Sequence, residues 1–237
     1  MERLLTGRRI LLTGASRGVG LAVARLFVKH GALVFGVARD ARRLERVASE
    51  LSPAGADAFS WLALDLTESD APRRITQAVG QRWGALDILM NNAGVQLSDV
   101  RDFETEPPGT LERSMAVNLY GPFHLSLACL PLLRKGTEPR ILQVGSGAGD
   151  FERMKSTGIP SYRLSKWALH GLTQLLAAQL APEIAVNAFD PGWVKTDLGG
   201  PKAPGTVDEA ADGALKLAGL PFDVTGKFYK NGQEISF

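Results

Sequence analysis

The chain has 237 residues, of which 45% are hydrophobic and 22% charged, and its formal net charge is +2. That balance fits a soluble globular protein able to bury a sizeable core. The single Cys129 excludes an intrachain disulfide and a multi-cysteine zinc site, and Arg39, Arg42, Arg43 and Arg46 interleave with Asp40, Glu45 and Glu50 instead of forming a basic run for nucleic acid. His30, His124 and His170 show no metal-binding spacing. The N-terminus MERLLTGRRILLTG lacks a signal-peptide layout, and no apolar stretch reads as a membrane span. A cytoplasmic location and no membrane partner are therefore expected.

Apolar runs at Arg9–Thr13, Leu33–Ala38, Ala58–Leu64, Leu86–Asn91, Arg140–Val144, Ala185–Phe189 and Lys227–Lys230 read as strands. Several are apolar almost throughout, as strands buried on both faces of a parallel sheet are. Helical patterns fill the gaps at Gly18–His30, Ala41–Leu51, Ser69–Trp83, Thr110–Leu133, Tyr162–Ala181 and Val207–Ala218. The alternation predicts an α/β fold: a doubly wound, Rossmann-type, mostly parallel seven-stranded sheet with helices on both faces, forming one domain over residues 1–237. The irregular stretch at about 192–206, rich in Gly and Pro, reads as a lid or substrate loop.

The first strand runs into Thr13-Gly14-Ala15-Ser16-Arg17-Gly18-Val19-Gly20, which opens a helix. Glycines here let the backbone turn sharply and approach a diphosphate, and the helix N-terminus offers it unpaired N–H groups. The loop lacks the Gly-Lys-Ser/Thr ending of a P-loop. At the end of the second strand, Ala38 stands where an acid would bind the ribose of NAD, and Arg39 follows it. Arg17 and Arg39 together suit the extra phosphate of NADP(H), with NAD(H) the alternative. Asp40 reads as the cap of the helix beginning at Ala41; pointing inward, it would favour NAD. Asp65-Leu66 and Asn91-Asn92-Ala93-Gly94 end the next two strands and border the same crevice.

Tyr162 and Lys166 stand four residues apart in SYRLSKWALHGL, on one face of a helix. A free phenol has a pKa of about 10. A neighbouring cation is expected to lower it toward the working range, making an acid/base unit.

Together these segments resemble the short-chain dehydrogenase/reductase family over essentially the whole chain. The matching motifs are TGASRGVG at 13–20, DL at 65–66, NNAG at 91–94, Asn118 in VNLYGPF, Ser146 in VGSGAG, YRLSK at 162–166 and PGWVKT at 191–196. Within the family the chain is similar to the compact single-domain members, including NADP-dependent carbonyl reductases. The resemblance implies that Tyr162 is the general acid, that Lys166 lowers its pKa and binds the nicotinamide ribose, and that Ser146 holds the substrate oxygen. It implies that Asn118 holds a water linking Lys166 to solvent. Gly14, Ser16, Arg17, Gly18, Val19, Gly20, Arg39, Asp65, Leu66, Asn91, Ala93, Gly94, Pro191, Gly192, Val194 and Thr196 would bind the cofactor together with Tyr162 and Lys166. It also implies dimers or tetramers paired through the helices around Asn118 and Tyr162.

Two features depart from the common family pattern. Asp190 stands where Asn is frequent, a change expected to matter little because Asp still accepts local backbone bonds. The interval from Ser146 to Tyr162 is a few residues longer than in many members, and the extra residues, within Asp150–Ile159, are expected to reshape the substrate pocket. Gln96, Gly147, Phe151, Met154, Trp193 and Leu198 are the candidate pocket residues. Their apolar character favours a lipophilic ketone or aldehyde; no arginine is clearly placed to bind a substrate carboxylate, Arg153 and Lys155 being the candidates for that role. Three readings compete: a reductase of carbonyl compounds, a dehydrogenase oxidising an alcohol, and a non-catalytic NADP-binding regulator.

Overall fold

The computed structural model describes residues 4–51 and 58–237. Its strands are β1 (Arg9–Thr13), β2 (Leu33–Ala38), β3 (Phe59–Ala63), β4 (Ile88–Asn91), β5 (Arg140–Val144), β6 (Ala185–Asp190), β7 (Phe228–Lys230) and β8 (Gln233–Ile235). They form one sheet in the order β3-β2-β1-β4-β5-β6-β7-β8. Pairing is parallel from β3 through β7, and β8 returns antiparallel to β7. Among the described residues the sheet therefore has eight strands where the sequence reading expects seven. The eighth follows from Asn231-Gly232, whose positive φ values of 53° and 80° make the two-residue turn that an Asn-Gly pair favours.

Helices α1 (Gly18–Lys29), α2 (Ala41–Leu51), α3 (Ala71–Trp83), α4 (Thr110–Met115), α5 (Gly121–Leu133), α6 (Pro160–Leu180) and α7 (Val207–Ala218) cover both faces. Side chains alternate along each strand, so neighbours enter opposite cores. Ile10 and Leu12 join α1, α2 and α7 residues such as Phe27, Leu44 and Leu217 on one face. Leu11 joins Ile75, Leu125, Cys129 and Ala177 of α3, α5 and α6 on the other.

The expected helix Thr110–Leu133 is interrupted by a π turn at Ala116–Tyr120, centred on Asn118. Such turns insert an extra residue and often mark functional sites. The same span, with a mean hydropathy of 1.3 over its most apolar window, is long and apolar enough to match a membrane helix by composition. That corrects the reading that no stretch qualifies. In the fold, Leu125, Cys129 and Leu133 on one side of α5 are buried in the core, while Phe123 and Leu127 are exposed.

The strand order reverses direction between β1 and β4. The loops leaving their carboxyl ends diverge there and open a crevice, the usual ligand position in such sheets.

Candidate active site

A cleft of about 1840 Å³ runs along the carboxyl ends of the strands. Its floor at one end is the loop after β1. Gly14 has φ 71°, a left-handed conformation that favours glycine. A Cβ at Gly20 would lie 2.1 Å from the Gly14 carbonyl oxygen, so any side chain there would push the loop off the helix. Thr13 and Asn92 lock this loop to the one after β4. Thr13 Oγ1 accepts from the backbone N–H groups of Asn92 and Ala93 at 3.0 Å each, and Asn92 Nδ2 donates to the Thr13 carbonyl at 2.8 Å. The sequence reading places Asn92 beside the crevice but gives it no role; here it builds the site. Among the described residues no side chain caps the N-terminus of α1, which opens onto this loop. The glycine cradle and the helix end together fit a dinucleotide's diphosphate.

Most expected cofactor-binding residues line the cleft: Gly14, Ser16, Arg17, Gly18, Val19, Gly20, Arg39, Asp65, Leu66, Ala93, Gly94, Pro191, Gly192, Val194 and Thr196. Asn91 does not. It is the last residue of β4, and strand alternation turns its side chain into the core, where Nδ2 donates to Ser126 Oγ at 3.2 Å. Asp40 caps α2, as expected, by accepting from Arg43 N at 3.0 Å. Arg17, Arg39 and Arg43 converge on the cleft beside the end of β2. Arg17 and Arg39 are exposed and Arg43 is half-buried, and each has an acidic partner: Arg17 with Asp197, Arg39 with Asp65 at 3.7 Å, and Arg43 with Asp40 at 3.2 Å. Exposed pairs of this kind contribute little and exchange readily for a phosphate. Arg43 was not singled out from the sequence; its place in the first turn of α2, directly above the β2 end, is the signal that finds it.

The stretch at 192–206 is folded back on itself. Val194 bridges to Gly205, Gly205 N donates to the Trp193 carbonyl at 3.0 Å, and Trp193 Nε1 donates to the Gly199 carbonyl at 2.7 Å. Arg17 and Asp197 join it to the glycine loop.

Ser146, Tyr162 and Lys166 meet at the end of β5 and line the cleft together. Lys166 is 4% exposed. Its Nζ donates to the Val144 carbonyl at 2.7 Å and stands 5.8 Å from the centre of the Tyr162 ring. Burial lowers the Lys166 pKa to about 8, with the Asp190 carboxylate acting in the opposite direction. Burial pushes Tyr162 up to about 12; the Ser146 side chain pulls it down, and Asp190 adds to the rise. The expected lowering by Lys166 is therefore not what governs this phenol. Its ring is partly accessible from the cleft, but desolvation of the phenolate dominates.

Asn118 is fully buried and does not line the cleft. Its Oδ1 accepts from Val95 N at 2.8 Å, and its Nδ2 donates to the Val95 carbonyl and to Ser165 Oγ, each at 2.9 Å. The side chain ties the loop after β4 to α6. A Cβ at Gly94 would lie 3.4 Å from Asn118 Oδ1 and 3.5 Å from Lys166 Nζ, so the two residues share one neighbourhood.

Among the candidate pocket residues, Gln96, Gly147, Trp193 and Leu198 line the cleft, and Phe151 and Met154 do not. Phe151 is exposed and packs outward against Trp167, with ring centres 6.3 Å apart. The short turn Phe151–Lys155, capped by Asp150, carries both residues away from the cleft and brings in Arg153. Ser156 and Ile159 line the cleft beyond it.

His170 supports the floor. It is 2% exposed, its Nε2 accepts from Ser146 N at 3.4 Å, and its ring lies against Phe228 and Phe237. Burial lowers its pKa to about 4, Lys166 adding to the fall while Asp190 and Asp150 oppose it. Among the described residues no cluster could hold a metal ion.

Comparison with known proteins agrees with this geometry. The family model for short chain dehydrogenases matches residues 8–206. The oxidoreductase YciK of Escherichia coli K12 is 31% identical over 199 residues, 83% of this chain and 77% of that protein. The structure of a short chain dehydrogenase from Shigella flexneri complexed with NADP superposes with a TM-score of 0.90 at 28% identity, covering 98% of this chain and 100% of that one. One from Escherichia coli CFT073 complexed with NADPH gives the same score, identity and coverage.

A histidine whose folded pKa lies below its unfolded value of about 6.5 leaves the proton to the unfolded chain, so stability is full above that pH and declines below it. By pH 5 the loss from His170 is about 2 kcal/mol. Chemical denaturation of the wild type is expected to show this decline between pH 7 and 5, and His170→Gln to lack it. An identical slope in the variant would assign the acid sensitivity elsewhere.

Proposed function

The chain belongs to the short-chain dehydrogenase family, and on that premise we propose that it is an NADP(H)-dependent oxidoreductase that reduces the carbonyl group of a small molecule. The observation that carries the reading is the convergence of Ser146, Tyr162 and Lys166 on a cleft that begins at a glycine cradle. The NADP and NADPH complexes of the two similar structures support the choice of cofactor. So does the arginine corner of Arg17, Arg39 and Arg43, which would hold the extra phosphate. Gly14, Gly18 and Gly20 would admit the diphosphate, and Val194 and Thr196 the carboxamide end.

Bound NADP(H) supplies the hydride for the carbonyl carbon. The protein's task is to orient the carbonyl and to place a proton on its oxygen. Ser146 Oγ and the Tyr162 hydroxyl would hold that oxygen, and charge developing on it strengthens both hydrogen bonds. Tyr162, pushed up to about 12, carries its proton throughout the neutral range and is a donor. Lys166, with a pKa of about 8, is mostly cationic at pH 7. Its charge stabilises the phenolate left after the transfer. Oxidation of an alcohol uses the same groups in reverse; the NADP(H) complexes of the similar structures are what favour the reductive reading. A role limited to binding NADP would leave the convergence of Ser146, Tyr162 and the buried Lys166 without a use.

The apolar side chains left exposed by α4 to α6 support a homo-oligomer. Tyr120, Phe123, Leu127, Trp167 and Leu175 lie outside the core, while Leu172 of the same helix pair is buried. A second copy covering this face would form a dimer or tetramer.

Tyr162→Phe is expected to lower NADPH-dependent carbonyl reduction at least about a hundredfold while leaving NADPH binding, read by fluorescence titration, within about twofold. Full activity in this variant would end the proposed mechanism. Arg39→Ala is expected to weaken NADPH about tenfold and NADH much less; equal losses would remove the phosphate assignment. Light scattering in solution is expected to return at least twice the 25.4 kDa chain mass, and a monomer at micromolar concentration would remove the oligomer.

A further inference from the structure

The substrate end of the cleft holds a guanidinium with open hydrogen-bonding capacity. Arg153 lines the cleft with Ser146 and Tyr162. A Cβ built on Gly147 would lie 3.0 Å from one terminal nitrogen of Arg153 and 3.0 Å from Asp190 Oδ2. The guanidinium therefore reaches the residue next to Ser146, one Cα–Cα step from the hydroxyl assigned to the substrate oxygen. Its ionic partner among the described residues is Asp150, at 3.8 Å, too far for a hydrogen bond.

We propose that Arg153 binds a carboxylate on the substrate, and that the compound reduced is an oxo acid whose carbonyl lies a few bonds from its acid group. The proposal rests on the reductase reading above and narrows it. Three observations favour it. First, the arginine's backbone is held in place: Arg163, the residue after Tyr162, donates to the carbonyls of Ala148, Arg153 and Gly158 at 3.3, 3.2 and 2.8 Å. This brace fixes the Arg153 segment relative to the proposed proton donor. Second, the other carboxylate beside Gly147, Asp190, is already matched. Lys230 Nζ donates to its Oδ2 and Gly192 N to its Oδ1, each at 2.8 Å. Third, the local charge balance is positive. Asp190 is matched by Lys230 and Asp150 by Arg153, and Asp99 lies on the facing loop. Against these, the hydrogen-bond partners of the Arg163 and Lys166 cations among the described residues are backbone carbonyls. The net positive charge attracts an anion to this end of the cleft, and the guanidinium fork of Arg153 matches a carboxylate geometrically. Lys155, the other candidate from the sequence, is exposed and bonds Glu152 at 3.0 Å outside the cleft.

The test measures kcat/KM with NADPH for straight-chain oxo acids bearing the carbonyl at the second, third or fourth carbon, each beside its methyl ester. Wild type is expected to prefer at least one acid over its ester by about tenfold or more. Arg153→Met is expected to bring that ratio to about one, and Arg153→Lys to restore part of it. The ratio is internal to each preparation, so partial loss of folded protein does not change it. Esters reduced as well as acids by the wild type, or an unchanged ratio in Arg153→Met, would overturn the carboxylate site while leaving the reductase reading intact. No reduction of any acid, ester or simple aldehyde would overturn the reductase reading and this inference with it.

Discussion

The site is organised around an ammonium group kept out of water. Taking a lysine charge into a protein interior is strongly unfavourable unless polar groups replace its hydration. Lys166 obtains that replacement from the Val144 carbonyl, a group left free where β5 ends. The ladder of a parallel sheet thus ends at the point where a cation needs an acceptor. The surrounding backbone must come close to make this work. A Cβ on Gly149 would lie 2.6 Å from the Lys166 backbone and 2.8 Å from its side chain, so the turn after Ser146 presses directly on α6. That contact brings Ser146 to Tyr162, one helical turn before the lysine.

The same constraint explains why the neighbouring loops are tied by buried side chains. Asn118 bonds both backbone groups of Val95 and the Ser165 hydroxyl next to Lys166. A regular helix from Thr110 to Leu133 would rotate this residue out of register with its three partners, and the π turn supplies the extra residue that aims it. Thr13 and Asn92 perform the same task for the glycine loop. Both the proposed cofactor end and the proposed chemical end of the cleft are therefore fixed to the sheet through amide and hydroxyl groups, whose hydrogen bonds do not depend on pH.

Much of this was legible in the sequence because it rests on local rules. Apolar runs gave β1, β2, β5 and the α2 and α7 bounds residue for residue, and the strand–glycine–helix order located the crevice. The readings that failed depended on direction. Asn91 and Asn92 are adjacent, and only the pleat decides which of them faces the core. Phe151 and Met154 are apolar and near the site in sequence, but a short capped turn points them outward and delivers Arg153 in their place. The Tyr162–Lys166 spacing correctly brought a cation near a phenol. It could not show that both groups would be desolvated, which moves each pKa against its charged form. The eighth strand was legible in Asn231-Gly232, a turn pair that the sequence reading did not use.

Asp190 illustrates how one residue gains meaning only from the fold. In sequence it is a substitute for Asn that keeps a local bond, and it does accept from Gly192 N at 2.8 Å. Its second oxygen has the larger consequence. A carboxylate 5% exposed beside Tyr162, Lys166 and His170 imposes a negative field on all three and raises the pKa of each relative to a neutral amide. An unpaired charge in that position would be strongly destabilising. Lys230 balances it from the last position of β7. The Asn231-Gly232 turn then reverses the chain and pairs Lys230 with Gln233 of β8, so the eighth strand anchors the lysine that makes the aspartate tolerable. The acid, its counter-ion and the added strand form one unit, and they favour a protonated Tyr162 and a cationic Lys166, the resting pair that the proposed proton transfer needs.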